Sequence, residues 1–209
     1  MIIKTFARNN MGQNVYLYYC RVSGEGVLID AGCNEADRNE IAAFLQEKGI
    51  TVNAILLTHG HFDHIITANE MKKLTNAEIY CHKLEEPMLE DPELNLSTII
   101  KQKLSVTPDK TLQDGDIIKF GHATLEILHT PGHTPGGVCY YDRESANLFT
   151  GDTLFRESVG RSDLPQGNSK TLKKSIADKL LTLPGATNVY PGHGPSTTIA
   201  HEKQNNSFV

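Results

Sequence analysis

The chain has 209 residues and a formal net charge of −5, and its composition is 39% hydrophobic and 22% charged. These values are typical of a soluble globular protein and argue against disordered, collagen-like and coiled-coil chains. The negative charge disfavours binding to nucleic acid, and the length suits a single domain over residues 1–209.

Apolar runs alternate with amphipathic runs along the whole chain. Helices are predicted between Asn34 and Gly49, over residues 63–74, and from residue 168 or 169 to the residue before Pro184. Because the predicted strands outnumber the helices, two mixed sheets packed together with helices outside fit better than a doubly wound parallel sheet. The strands are predicted over residues 15–19, 26–30, 52–58, 78–81, 116–120, 123–128, 137–141, 146–150 and 187–190.

Neither a membrane-spanning segment nor a secretory leader is expected. No apolar run approaches the length of a bilayer crossing, and the first residues lack the apolar core of a signal peptide. The cysteines form no close pair, which argues against a CxxC redox motif or a thiolate zinc finger and favours buried free thiols. These features favour a cytoplasmic protein without a membrane partner. The cysteines are Cys20, Cys33, Cys81 and Cys139.

A dense histidine cluster lies in the segment Thr58-His59-Gly60-His61-Phe62-Asp63-His64. Histidine is a poor core residue, and several neutral imidazoles gain stability together by sharing a Lewis acid. His59 and His61 alternate and point the same way in an extended segment, so one ion can take both. Asp63 and His64 diverge and can reach a second ion or orient the first from outside. Imidazole and carboxylate ligands suit zinc, iron or manganese.

Further ligand candidates lie where other predicted strands end. They are His133 in a Gly-Pro-rich turn, Asp152 after Gly151, and His193 between two glycines. Glycine lets the backbone approach an ion closely. Each of these residues alone would ordinarily be a hydrogen-bonding turn residue. Together with the histidine cluster they indicate a metal site.

This ordered set resembles the metallo-β-lactamase superfamily from Leu28-Ile29-Asp30-Ala31-Gly32 to Pro191-Gly192-His193-Gly194, which is essentially the whole chain. The resemblance implies an α/β protein, an αβ/βα four-layer sandwich with two divalent metal ions at one edge between the sheets. Zinc is the favoured ion, with iron or manganese as alternatives. The implied ligands are His59, His61 and His133 for the first ion, Asp63, His64 and His193 for the second, and Asp152 as the bridge. Asp63 and Asp152 are also the predicted catalytic carboxylates, and Asp30 is expected to support the histidine-rich loop from behind the ligands.

The expected chemistry follows from the charge of such a centre. Two dications balanced by Asp63, Asp152 and a bridging hydroxide leave a small positive charge, which favours an anionic or carbonyl-polarised substrate. Metal ions lower the pKa of bound water to about 7. A metal-bridging hydroxide is therefore the expected nucleophile, and no Ser-His-Asp triad is needed.

Within the superfamily, residues 151–155 (GDTLF) and 160–165 (GRSDLP) most resemble the glyoxalase II branch, in its short bacterial form without the C-terminal helical domain. The resemblance implies a hydroxyacylglutathione hydrolase that cleaves a small-molecule thioester. Arg161 stands where a basic residue contacts the glutathione carboxylate in the longer enzymes. Asp163 and Pro195 replace tyrosines that contact glutathione in those enzymes, so the thiol half of the substrate is left open. Asp152 argues against the β-lactamase branches, which generally lack this carboxylate.

The alternative function belongs to a different class, the oxidoreductases. Persulfide dioxygenases share the fold, the first motif and a similar Gly-Arg-x-Asp segment. They hold one iron with the equivalents of His59, His133 and Asp152. A metal-binding sensor without turnover is a third possibility.

Other features carry less chemical information. The pair Glu85-Glu86 is interpreted as part of a solvated helix face. His82, His122 and His201 lack partner motifs and are interpreted as surface or packing residues. The sequence marks no self-complementary surface that would indicate an oligomeric state.

Overall fold

The computed structural model describes residues 1–6 and 12–209. Its first sheet has the strand order β1-β2-β3-β4-β5-β6. The strands β1 to β3 pair antiparallel, whereas β3 to β6 pair parallel. The strands of this sheet are β1 (Ile2–Phe6), β2 (Val15–Tyr19), β3 (Glu25–Ile29), β4 (Thr51–Leu56), β5 (Glu78–His82) and β6 (Lys110–Leu112).

The second sheet has the order β14-β13-β10-β9-β8-β7. Its strands pair antiparallel except for β10 and β13, which are parallel and shift register between Phe149 and Gly151. The strands are β7 (Ile117–Phe120), β8 (Ala123–His129), β9 (Val138–Asp142), β10 (Asn147–Gly151), β13 (Asn188–Pro191) and β14 (Thr197–Thr198). A separate hairpin pairs β11 (Leu154–Phe155) with β12 (Ser158–Val159).

The helices lie outside the two sheets. They are α1 (Glu35–Lys48), α2 (Phe62–Ile65), α3 (Ala68–Thr75), α4 (Glu86–Glu90), α5 (Ser169–Ser175) and α6 (Ile199–Asn205). The predicted caps of α1 are confirmed: the Asn34 side chain accepts from the Asp37 N–H, and Gly49 ends the helix with a φ of 62°. Across the described residues, no helix is both long enough and apolar enough to cross a membrane.

Three apolar clusters define four layers. The cluster between the sheets joins side chains of both sheets, among them Tyr18 and Leu56 of the first and Tyr140 and Phe149 of the second. A second cluster packs α1 and α3 on the outer face of the first sheet. The third packs α5 on the outer face of the second sheet. The order helix, sheet, sheet, helix confirms the predicted αβ/βα sandwich.

Some predicted helix boundaries were wrong. The helix predicted over residues 63–74 is two helices, α2 and α3, because Thr67 is bound to the loop after β3. The N–H and hydroxyl of Thr67 both donate to the Ala31 carbonyl, at 3.1 and 2.9 Å, and this turns the chain. The late helix is α-helical only to Ser175 and continues as a π-helical turn over Ile176–Leu180. The four cysteines are buried and free, as predicted.

Candidate metal centre

The candidate metal ligands follow the ends of strands from both sheets. The histidine-rich loop follows β4, and His133 lies in the turn between β8 and β9. Asp152 and His193 follow β10 and β13, and since these neighbours are parallel their ends lie at the same edge. Strand topology thus brings together side chains that are far apart in the sequence.

In the described part of the chain, the ligand atoms form overlapping groups whose members lie within 4.8 Å of one another. The groups are His59, His61 and His133; His59, His64 and Asp152; and Asp63, His64 and His193. The first and the last are the sets expected for two separate ions. Asp152 lies between these two sets. Its Oδ1 is 3.3 Å from His64 Nε2, and its Oδ2 is 3.7 Å from both His133 Nε2 and His193 Nε2.

Acceptors behind the imidazole rings fix which nitrogen carries the proton. The Nδ1–H of His64 donates to Asp30 Oδ2 at 2.9 Å, and the Nδ1–H of His133 donates to the Arg161 carbonyl at 2.7 Å. In the neutral form each imidazole carries only this N–H, so the Nε2 of each ring then faces the cluster as an unprotonated nitrogen. This is the form of histidine that binds metals.

Asp30 extends the same arrangement to His59. The Asp30 carboxylate is buried and accepts at 2.7 Å from both the N–H and the hydroxyl of Thr58. Since the Thr58 hydroxyl donates to Asp30, its oxygen accepts the Nδ1–H of His59, 3.1 Å away. Asp30 therefore lies behind the histidine-rich loop and holds two of its imidazoles in the orientation that exposes Nε2.

The set of donor atoms fits a cation. His133 Nε2 lies 3.3 Å from His59 Nε2, and two unprotonated nitrogens that face each other repel unless a cation lies between them. Among the described residues, His61 Nε2 and Asp152 Oδ1 are buried without a hydrogen bond of acceptable geometry. Unpaired buried polar atoms are costly, and a divalent ion satisfies imidazole and carboxylate donors together.

The charge states of the cluster also suit a metal. Burial, with His133 close by, lowers the pKa of His61 to about 3. Burial and the surrounding imidazoles lower the pKa of His59 well below its usual value, so both rings are neutral at pH 7. Burial alone would raise the pKa of Asp152, but His64 and the other imidazoles hold it well below its usual range. Asp152 is therefore an ionised carboxylate beside the neutral imidazoles of His59 and His61. Burial alone would lower the pKa of His64, but the carboxylates around it raise that pKa well above its usual value.

The interpretation of Glu85 as a solvated helix face was wrong. Its side chain is only 1% exposed and accepts hydrogen bonds from Gly60, Thr134 and Gly136. Burial raises the pKa of Glu85 to about 7, although these hydrogen bonds counteract the increase. No signal in the sequence separates Glu85 from the glutamate beside it, because its partners lie 25 to 51 residues away.

Asn14, which no pattern in the sequence marks, holds the loop that carries His193. The Asn14 side chain donates to the carbonyls of Pro191 and Gly194 at 3.0 and 2.9 Å. Its backbone N–H donates to the Gly192 carbonyl at 2.7 Å. One residue before β2 therefore fixes the backbone on both sides of His193.

Arg161 contacts the centre through its backbone and not through its side chain. Its carbonyl accepts from His133, whereas its guanidinium donates to both carboxylate oxygens of Asp163 at 2.9 Å. The Arg161 side chain is 63% exposed, so this ion pair contributes little to stability. The guanidinium can therefore exchange Asp163 for another carboxylate at low cost.

The comparison with known proteins assigns the family. A family model described as the metallo-β-lactamase superfamily matches residues 8–193. The chain belongs to the metallo-β-lactamase superfamily. Among curated relatives, the probable metallo-hydrolase YqgX of Bacillus subtilis is 39% identical, over 92% of this chain and 90% of the relative. Hydroxyacylglutathione hydrolase GloC of Haemophilus influenzae is 37% identical, over 87% of this chain and 86% of the relative.

Two solved structures share the fold over essentially the whole chain. The B3 metallo-β-lactamase BLEG-1 superposes with a TM-score of 0.91 and 37% identity, and the match covers 99% of each chain. TTHA1623 in a di-iron-bound form superposes with a TM-score of 0.85 and 36% identity, over 99% of this chain and 100% of that protein. This metallo-β-lactamase-fold protein is thus similar both to proteins named as hydrolases and to one with a two-metal centre.

Proposed function

We propose that this protein is a metal-dependent hydrolase that cleaves the thioester of a small hydroxyacylglutathione-type substrate. The observation that carries the proposal is the position of Asp152 between two ligand groups, one containing His61 and the other containing His193. Such an arrangement suits two ions that share one carboxylate. Zinc is the favoured metal, with iron or manganese as alternatives, and the di-iron-bound form of TTHA1623 supports iron.

The residues that would hold the ions are the seven named above. When bound, two divalent ions lower the pKa of a water to about 7 and polarise a substrate carbonyl. The chain's own contribution is orientation and charge. Asp30 and the Arg161 carbonyl keep the Nδ1 protons of His64 and His133 away from the centre. The proposed catalytic carboxylates, Asp63 and Asp152, have lowered pKa values because of nearby imidazoles, so both remain ionised at neutral pH.

The thioester assignment rests on similarity to GloC and on the glyoxalase II-like segments around Asp152 and Arg161. Arg161 is proposed to bind a carboxylate of the substrate after leaving Asp163. A small-molecule substrate, rather than nucleic acid or a membrane, suits the net charge of −5. A cytoplasmic location suits four free thiols, because reducing compartments keep cysteines unpaired.

Persulfide dioxygenase activity is the second candidate. The observation that favours it is that three donors suited to a single iron lie close together. His133 Nε2 is 3.3 Å from His59 Nε2 and 3.7 Å from Asp152 Oδ2. Two imidazoles and one carboxylate with open positions are the ligands of many non-haem iron oxygenases. This activity would use one iron and consume oxygen.

The test is metal quantitation on natively purified protein together with three parallel assays. The substrates are lactoylglutathione, a glutathione persulfide with oxygen uptake followed by an oxygen electrode, and a β-lactam. The β-lactam is included because the chain is similar to the β-lactamase BLEG-1. We expect two metal ions per chain and lactoylglutathione hydrolysis well above that of the His61→Ala variant. One iron with persulfide-dependent oxygen uptake would establish the second candidate instead. Preferential hydrolysis of the β-lactam would overturn the thioester assignment.

A further inference from the structure

Glu85 is a buried carboxylate that the proposed chemistry does not use. It ends the 3₁₀ turn Lys83–Glu85 that follows β5, and its side chain is almost completely inaccessible. No lysine, arginine or histidine within residues 1–6 and 12–209 forms an ion pair with it. Burying a carboxylate without a cation is costly, so its hydrogen bonds must offset a substantial penalty.

The hydrogen bonds of Glu85 link two separate loops of the metal centre. Its Oε1 accepts from the Gly60 N–H at 2.9 Å. Its Oε2 accepts from the Thr134 hydroxyl at 3.1 Å and from the Gly136 N–H at 2.7 Å. Gly60 lies between His59 and His61, and Thr134 directly follows the third histidine of the first ligand group. Each carboxylate oxygen therefore holds one of the two loops that supply this group.

Close packing leaves these loops little freedom to move relative to Glu85. A Cβ atom on Gly136 would lie 2.5 Å from both the backbone nitrogen and the Oε2 of Glu85. A Cβ atom on Gly60 would lie 3.0 Å from Met88 in α4. The Gly136 turn therefore approaches Glu85 at a distance that only glycine permits, whereas a side chain at position 60 would require Met88 to shift. The position of Glu85 is thereby linked to the backbone of the ligand loops.

We propose that Glu85 is a positioning residue for the first ligand group, holding the His59–His61 backbone at a fixed distance from the His133 turn so that three imidazoles converge before an ion binds. A carboxylate suits this position because both of its oxygens accept hydrogen bonds. Glutamine has one accepting oxygen, so its NH₂ group would face the N–H of either Gly60 or Gly136. The Glu85→Gln change preserves shape and disconnects one loop.

This inference rests on the metal centre of the proposed function and is independent of the substrate. Metal-free wild type and Glu85→Gln are titrated with Co²⁺ in competition with a chromophoric chelator, and visible spectra are recorded. We expect roughly 10- to 100-fold weaker binding of the first-group ion, the range found when residues that orient ligands are removed. We also expect an altered Co²⁺ absorption spectrum, which a loss of overall stability would not produce.

Glu202→Gln is the matched buried control. Glu202 is fully buried and accepts three hydrogen bonds, from the Glu157 N–H, the Thr197 hydroxyl and the Asn206 side chain, none of which adjoins a candidate ligand. We expect this variant to lower the melting temperature of the metal-free protein while its Co²⁺ affinity stays within about threefold of wild type. Glu90→Gln, exposed on α4, is the surface control.

Thr134→Val keeps the test decisive if Glu85→Gln does not fold. This variant removes a single donor to Glu85, and we expect a smaller loss of Co²⁺ affinity together with the same direction of spectral change. Wild-type affinity and spectrum in the Glu85→Gln or Thr134→Val protein would overturn the inference, as would an equal loss in Glu202→Gln. A wild-type protein that takes up no Co²⁺ would overturn the proposed function as well.

Discussion

The Nδ1 atom of His64 lies 2.9 Å from Oδ2 of Asp30, and both side chains are buried. In Asp30→Asn, an NH₂ group would face the donors now bound by the carboxylate, which favours the His64 tautomer with its proton on Nε2. We expect about 10- to 100-fold weaker metal binding, measured by chelator competition. Asp142→Asn is the control, since Asp142 is equally buried but binds Tyr18 and Ser145 away from the centre. Equal losses in the two variants would contradict this role of Asp30.

Metal removal should abolish hydrolysis and lower stability together. A ligand that binds only the folded state adds about 4 kcal/mol when its concentration is 1,000 times its Kd. Treatment with a chelator should therefore lower the melting temperature, and returning Zn²⁺ should restore both stability and rate. Asp152→Ala should reproduce the metal-free state even with Zn²⁺ present. Full turnover by chelated, metal-free protein would contradict the two-metal mechanism.

Gly32→Ala should disrupt the candidate metal centre by displacing the backbone of Asp63. A Cβ atom on Gly32 would lie 1.6 Å from the backbone oxygen of Asp63. Since that position cannot be shared, the Asp63 backbone must move, and we expect a loss of about 2–4 kcal/mol in unfolding free energy together with lower metal content. Gly185→Ala, whose Cβ would be 3.2 Å from Ala200, should cost less than about 1 kcal/mol and leave metal content unchanged.

His82 should make stability pH-dependent. It stacks on His129 at 4.0 Å between ring centroids, and burial, with His129 adjacent, lowers its pKa to about 4. In the unfolded chain the pKa of His82 is about 6.5. At pH values between this pKa and that of the folded state, the unfolded chain binds more protons than the folded protein, so the free energy of unfolding falls as the pH decreases. His82→Asn can still accept from the Leu84 N–H and removes this titration. The stability of metal-free wild type relative to the variant should therefore decrease from about pH 7 to pH 4.5, as measured by urea unfolding in EDTA. A difference that does not change with pH would contradict the prediction.

Arg161→Gln should affect substrate binding more than folding. The exposed pair with Asp163 contributes at most about 1 kcal/mol, so the melting temperature should change little. If Arg161 binds a substrate carboxylate, KM for lactoylglutathione should rise about tenfold while kcat changes less. Arg143→Gln is the matched control, because Arg143 is similarly exposed and paired with Glu126. An unchanged KM would remove Arg161 from the proposed substrate site.

The sequence allowed the four-layer order and the candidate ligands to be predicted because both depend on local patterns. The spacing of His59, His61 and His64 is visible within six residues, and the strand ends that carry Asp152 and His193 are marked by glycine. Which donors approach one another depends on sheet order. That order is set by pairings such as β10 with β13, whose residues lie about forty positions apart.

Residues that act through distant backbone atoms could not be predicted in the same way. Asn14 binds a carbonyl 177 residues away, and Glu85 binds a hydroxyl 49 residues away. Neither position differs locally from an ordinary polar residue. The break between α2 and α3 has a similar origin, since it depends on Thr67 reaching Ala31 across 36 residues.

The candidate ligands are divided between the two sheets: four follow β4 of the first, and three follow β8, β10 and β13 of the second. Any ion that takes donors from both sides is therefore a reversible cross-link between the halves of the sandwich. Dissociation of the ion and separation of the two sheets are then thermodynamically linked. Metal binding should therefore strengthen the packing of the two halves against each other, and metal removal should weaken it.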